Sequence, residues 1–316
     1  MRYLLLGYYG FKNTGDEALA EVLVRELRRI DPAAAIRLAS SRQNLFKTIA
    51  DINWADLVIG GGGGLLQDST SARTIPFYLG LLQLAKWRGK KALMLGQGLG
   101  PLKRFISRQL VRCFLPNLNG ITFRDQASAD LAQKICRGKK LVSSVTADLA
   151  FLLPTPGNNE KTWRLRDLNI TAKPKIGLAI RFPAKSTKND WARELAAFCD
   201  RAAADADICF LPFHYPDDVA AAKAIAAQMQ KSAAVIDQVL KPAEMLGLLS
   251  AFDIVVGMRL HSLIFAVKAG VPAIGIAYDP KIAAFMDECG LPCLPIDTIT
   301  KEKLQAEFIK LRGNIA

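Results

Sequence analysis

Short apolar runs alternate with helix-length amphipathic segments along the whole 316-residue chain, the pattern of βαβ units built on parallel sheets. Tyr3–Leu6, Leu57–Ile59, Ala92–Leu95 and Gly120–Phe123 read as buried strands, with helices expected at about 15–30, 74–88, 102–115 and 126–136. A second series starts at Lys175, with strands at Ile176–Ile180, Ile208–Leu211, Val235–Ile236, Ile254–Val256 and Ala273–Ile276. Between the series, Pro154–Pro174 collects Pro, Gly, Asn and charged residues without sustained periodicity, the composition of a linker. The expected fold class is α/β: two Rossmann-like doubly wound domains, 1–155 and 172–316, with a boundary near 155–172 and a ligand cleft between them.

Other classes fall away on elementary grounds. No uncharged stretch reaches the roughly 18 residues of a spanning helix. The apolar run near the start, Tyr3–Leu6, is too short for a signal peptide, so the expectation is a cytoplasmic chain beginning at Met1. Six scattered cysteines without a C-x-x-C pair point to reduced thiols. With only His214 and His261 as imidazoles, no zinc-site spacing occurs, and no metal is expected.

In a doubly wound sheet the chemistry belongs after the strands, and there the unusual residues lie. Gly7-Tyr8-Tyr9-Gly10-Phe11-Lys12-Asn13-Thr14-Gly15-Asp16 follows the first strand. Its glycines and a capped helix start suit an anion, while Tyr8, Tyr9 and Phe11 suit sugar stacking. The dinucleotide fingerprint G-x-G-x-x-G is absent. Five consecutive glycines, Gly60–Gly64, follow Ile59, and so costly an ordering implies close approach of the backbone to something. No Gly-Lys-Ser/Thr completes a Walker A loop.

Gly96-Gln97-Gly98 repeats the device after the next strand, and Arg124 ends the one after that. Arg124 is a candidate anion ligand, with a salt bridge to Asp125 or Asp148 as its alternative role. In the second series Arg259 and His261 stand where a strand hands over to an apolar helix, so both side chains and the helix N-terminus can face one negative group. Lys281 occupies the first turn of a later helix, where a cation does not help the helix dipole; anion binding would explain it.

The 42 basic residues outnumber 29 acidic ones, giving a net charge of +13. Leu84–Lys140 holds 13 Lys or Arg against Asp125 and Asp130 alone, a local +11. Within it Arg104, Arg108 and Arg112 form one helical stripe in the segment 103–115. A solvated helix face is one reading; contact with anionic lipid is the other. Nucleic acid ranks below both, because aromatic interleaving and DNA-binding motifs are missing.

Taken in order, GYYGFKNTGDEA, IGGGGGLLQD, GQGLGP, FRDQAS, TADLAF, GMRLHSLIFA and AYDPKI resemble the polysaccharide pyruvyl transferase family, in its bacterial secondary-cell-wall-polymer branch, from about residue 3 to 285. The resemblance implies a fold similar to GT-B glycosyltransferases and transfer of pyruvate from phosphoenolpyruvate to a sugar. The product would be a 4,6-linked ketal on a polyprenyl-diphosphate-linked repeat containing N-acetylmannosamine, made without metal or further cofactor; separately, the basic segment 103–115 would dock the chain on the inner membrane face.

Phosphoenolpyruvate is a carboxylate beside a phosphate and calls for cations with planar donors, which Arg124, Arg259 and Lys281 would provide. His261, with an ordinary pKa of about 6.5, would act as general acid or stabilise the leaving phosphate. Asp16 would deprotonate the attacking hydroxyl. By resemblance Tyr9 and Phe11 would line the acceptor sugar, the glycine segments with Gly61, Gly62 and Gly63 would hold the acceptor or close the cleft, Asn13 and Gln97 would bind substrate, and Asp148 would give structural support. The alternatives are a nucleotide-sugar glycosyltransferase of the same fold and a non-catalytic sugar-binding adaptor.

Overall fold

The computed structural model describes residues 1–40, 44–69, 71–155, 174–183, 187 and 189–313. Contacts divide the chain into two units, Met1–Phe11 with Asp16–Leu153, and Lys12–Gly15 with Pro154–Ala316. The expected linker falls almost wholly at 156–173, outside the described residues.

In the first unit β1 (Arg2–Leu6), β2 (Ala35–Ala39), β3 (Leu57–Leu66), β4 (Lys91–Leu99), β5 (Gly120–Phe123) and β6 (Ser143–Val145) form one sheet, ordered β2-β1-β3-β4-β5-β6. Every pairing is parallel. Between the strands run α1 (Thr14–Ile30), α2 (Leu45–Trp54), α3 (Thr74–Trp87), α4 (Phe105–Phe114) and α5 (Gln126–Ile135). Leu4, Leu6, Val58, Ala92 and Ile121 join Leu79, Leu82 and Val111 of the helices in a buried core. Helices on a parallel sheet leave its central strands no solvated face, so they read as continuous apolar runs. Each fully buried leucine contributes about 1.5–3 kcal/mol.

The second unit repeats the plan. Its strands β7 (Lys175–Ala179), β8 (Asp207–Phe210), β9 (Ala234–Val235), β10 (Ile254–Gly257), β11 (Ala273–Ala277) and β12 (Cys293–Pro295) are ordered β12-β11-β10-β7-β8-β9, again all parallel. Its helices are α6 (Trp191–Ala202), α7 (Asp217–Ala226), α8 (Pro242–Leu249), α9 (Leu260–Ala269), α10 (Pro280–Glu288) and α11 (Lys301–Gly313). α9 closes on Gly270 in the left-handed conformation (φ 70°), where the missing side chain removes the steric cost.

One sequence expectation changes. The glycines after Ile59 and Leu95 form no loops: Gly60–Gly64 lie inside β3 and Gly96–Gly98 inside β4, with Gly63 paired to Gln97 across an irregular register. What the backbone comes close to is internal packing, since a side chain at Gly61 would sit 2.1 Å from the Tyr9 hydroxyl oxygen. The arginine stripe stays at the surface over Arg104 and Arg108, with Arg112 partly buried, and each member also holds a carbonyl. Arg104 donates to Asp68 O at 2.6 Å, Arg108 to Leu102 O at 3.0 Å and Arg112 to Ile135 O at 3.0 Å.

Asp68, ending the glycine motif, is buried and accepts the backbone N–H groups of Lys103 and Arg104, both at 2.8 Å. Burial works against its charge, yet those donors hold the carboxyl below its usual range. It thereby fixes the entry into α4 from the segment that follows β3.

Candidate functional site

In the first sheet β1 and β3 are neighbours from which the chain leaves in opposite directions, and ligands bind at such a switch point, outside the carboxyl ends of the strands. The segment after β1 lies there. Tyr9 is buried and its hydroxyl donates to Gly61 O at 3.1 Å. Burial first, then the charge of Asp16, holds that phenol protonated, so Tyr9 is a donor and no base. Tyr8 and Phe11 stack with ring centroids 3.8 Å apart. The Asp16 carboxylate stands at Gly63, where an added Cβ would come within 3.2 Å of Oδ1. Gln97 is fully buried, its Nε2 donating to Gly63 O at 2.8 Å and Gly98 O at 3.0 Å. The structure thus brings Tyr9, Asp16, Gly61, Gly63 and Gln97 together.

Two buried polar atoms here lack a hydrogen-bond partner among the described residues: Gln97 Oε1 and the hydroxyl of Tyr78, one turn into α3. Tyr78 is 3% exposed, and burial followed by the charge of Asp16 and Tyr8 keeps it protonated. An unmade buried hydrogen bond costs about 1–3 kcal/mol, so folding alone favours phenylalanine at this position. Sequence reasoning missed Tyr78, because in an apolar helix it looks like core.

Arg124 directly follows β5, beneath Gly98, with its side chain 8% exposed. It pairs with Asp148 at 3.1 Å and Asp125 at 3.4 Å. Both carboxylates named as its alternative partners engage it.

The second site element lies in the second unit, into which Lys12–Gly15 is built. Thr14 N donates to Phe213 O at 2.7 Å, Tyr215 N donates to Lys12 O at 3.0 Å, and Asn13 forms a backbone bridge with His214. His214, without a role from sequence, helps to hold this segment. Gly15 underlies His261: a Cβ at Gly15 would lie 2.0 Å from the imidazole Nδ1, so only glycine leaves the ring its place. His261 is half-buried in the first turn of α9.

Arg259, the N-cap of the same helix, donates through Nε at 3.0 Å and through Nη2 to Asp218, which is 1% exposed. Asp218 Oδ2 also accepts from Phe213 N at 3.0 Å and His214 N at 2.9 Å. One buried carboxylate therefore sets both the guanidinium and the loop after β8. A guanidinium carries five donors, more than this carboxylate takes up. Lys281, exposed, lies 3.7 Å from Asp279, which also caps α10 through Lys281 N. That capping carboxylate gives the cation a local partner, an explanation sequence reasoning had not weighed. Beside it Arg181 donates to the Tyr278 hydroxyl at 3.2 Å and lies over its ring.

A sequence model of the family described as polysaccharide pyruvyl transferase matches residues 13–280. The chain belongs to that family. Among relatives, the amylovoran biosynthesis protein AmsJ of Erwinia amylovora is 26% identical over 264 residues, covering 77% of this chain. The chain spans only 61% of that relative's length.

Solved structures similar to this pyruvyl transferase family member include HepE of Anabaena in complex with UDP-glucose, with TM-score 0.65, 12% identity, and 99% and 90% of the two chains covered. MnaA of S. aureus with UDP gives TM-score 0.66, 11% identity and coverages of 98% and 89%. The ADP-heptose heptosyltransferase II of E. coli gives 0.57, 13%, and 98% of each chain. At such identities the likeness shows the fold, that of GT-B glycosyltransferases and sugar-nucleotide epimerases.

Proposed function

We propose that this chain transfers pyruvate from phosphoenolpyruvate to a saccharide acceptor as a ketal. One saccharide hydroxyl attacks C2 of the enol while C3 gains a proton and becomes a methyl group. A second hydroxyl attacks the same carbon, the C–O bond to phosphate breaks, and phosphate leaves with the remaining proton. The carbon carries positive charge on the way, so the reaction needs an acid for C3, a base for a hydroxyl, and cations for carboxylate and phosphate.

The observation that carries the reading is the seat of His261: an imidazole in the first turn of α9, placed by Gly15, beside an arginine that a buried aspartate aims. His261 supplies the proton. Arg259, Lys281 and the N-terminus of α9 hold the anion. Asp16 takes the hydroxyl proton, while Tyr9, Phe11, Asn13, Gln97 and the glycines of β3 serve the acceptor. The acceptor is lipid-linked, and the enzyme works as a peripheral protein on the inner membrane face. Among the described residues no helix is long and apolar enough to cross a membrane.

Thermal melting tests the donor. Ligand at about 100 times its Kd stabilises by about 2.7 kcal/mol, so phosphoenolpyruvate is expected to raise Tm and UDP-glucose to leave it unchanged. Stabilisation by UDP-glucose alone would replace this reading with glycosyl transfer. Tyr78 tests the acceptor side: Tyr78→Phe is expected to keep or raise Tm while lowering acceptor kcat/KM about tenfold, the weight of one hydrogen bond. Lowered Tm with unchanged kcat/KM would show that the hydroxyl serves folding alone.

A further inference from the structure

α4 begins with two neighbouring apolar side chains in water, Phe105 at 73% and Ile106 at 68% exposure. Two such residues at the start of one helix are a feature that folding does not require. Around them Lys103, Arg104 and Arg108 are exposed, as is Arg73, the N-cap of α3, the helix against which α4 packs. α4 itself, FISRQLVRCF, contains no acidic residue. The nearest carboxylate, Asp68, is buried, and Asp130 on α5 accepts from Gln126.

The side-chain bonds of Arg104 and Arg108 end on neutral carbonyls, and the buried Asp68 carboxylate draws in addition on the charge of Arg104. Cations ringing a small apolar wedge match an anionic interface, where the rings and aliphatic chains enter the headgroup region and each cation near the surface adds to the attraction.

Place strengthens the match. In a parallel sheet every helix that follows a strand starts at the carboxyl edge, so Phe105 and Ile106 emerge on the edge that carries Tyr9, Asp16, Gly63 and Gln97. A surface held by this turn faces the residues assigned to the acceptor.

We propose that the N-terminal turn of α4 is an interfacial anchor, with Phe105 and Ile106 inserting into an anionic lipid surface and Lys103, Arg104, Arg108 and Arg73 holding its headgroups. The contact is the wedge and its ring, and the long arginine stripe is secondary. This inference rests on the acceptor being lipid-linked, and the test separates the two.

Co-sedimentation with vesicles of equimolar phosphatidylcholine and phosphatidylglycerol, against phosphatidylcholine alone, reads the anchor without any turnover. The full chain is expected to bind the anionic vesicles, and Phe105→Ser/Ile106→Ser to bind them at least about tenfold more weakly with unchanged Tm. Equal binding by the variant, equal binding to both vesicle types, or none to either overturns the anchor. So does a concentration-dependent dimer that the double substitution dissolves, because the wedge then belongs to a second copy. If the anionic vesicles bind and the variant does not, but pyruvyl transfer proceeds only on water-soluble saccharides, the anchor stands and the lipid-linked acceptor falls.

Discussion

Replacing His261 with alanine is expected to lower kcat for pyruvyl transfer about 10³-fold, within the range that one positioned proton donor supplies. The side chain is half-buried at a helix start, so its removal leaves both sheets and their cores in place, and the melting temperature should move little. The kinetic parameters also separate two roles. An acid at C3 acts only in the transition state, and its loss leaves KM for phosphoenolpyruvate near the wild-type value. A group that binds phosphate in the ground state would raise that KM as well. Steady-state kinetics over both substrates, read beside a thermal melt, decide between these outcomes. Retained turnover would remove His261 from the chemistry.

The second large effect comes from a residue that touches no substrate. Gly15→Ala places a methyl carbon 2.0 Å from His261 Nδ1 and 2.1 Å from Cγ, whereas ordinary contact begins at 3.4 Å. The ring must move by more than an ångström, and a misplacement of about 1 Å costs on the order of 10² in rate. Helix preference points the opposite way: Gly15 lies in the first turn of α1, where alanine is favoured over glycine by up to about 1 kcal/mol. A slower enzyme that melts no lower would isolate the steric contact. In the His261→Ala background the imidazole is gone and the contact at 2.6 Å with the Cβ of residue 261 remains, so the same substitution should lower the rate far less than it does in the wild type. Additive losses would mean that Gly15 acts elsewhere.

Much of the fold is legible from apolar runs, because strands covered on both faces must be apolar throughout. The strands that escaped detection are at or near sheet edges. β2 (AIRLA) and β6 (SSV) are largely exposed and β12 (CLP) is three residues long, so none carries such a run. The glycine tracts were legible as places of close approach, but their nature as strands was not. Glycine has low strand preference, and it was the packing of Tyr9, Leu19 and Leu149 against them that gave them their place in the sheet.

Within the site, residue types at strand ends pointed to Asp16, Arg259 and His261. Their settings could not be read, since each depends on a partner distant in sequence: Gly15 for His261, Asp218 for Arg259, and Asp148 for Arg124. Asp218 in particular looked like one more acidic residue in the first turn of a helix, and only its burial reveals it as the group that aligns an arginine and a loop.

The most direct test is mass spectrometry of saccharide acceptors incubated with the full chain and phosphoenolpyruvate, with released phosphate measured in parallel. The expected result is an acceptor heavier by one pyruvate ketal, with one phosphate released per ketal formed, and neither change in the His261→Ala variant. An acceptor unchanged by phosphoenolpyruvate but extended by a hexose from UDP-glucose would contradict the account.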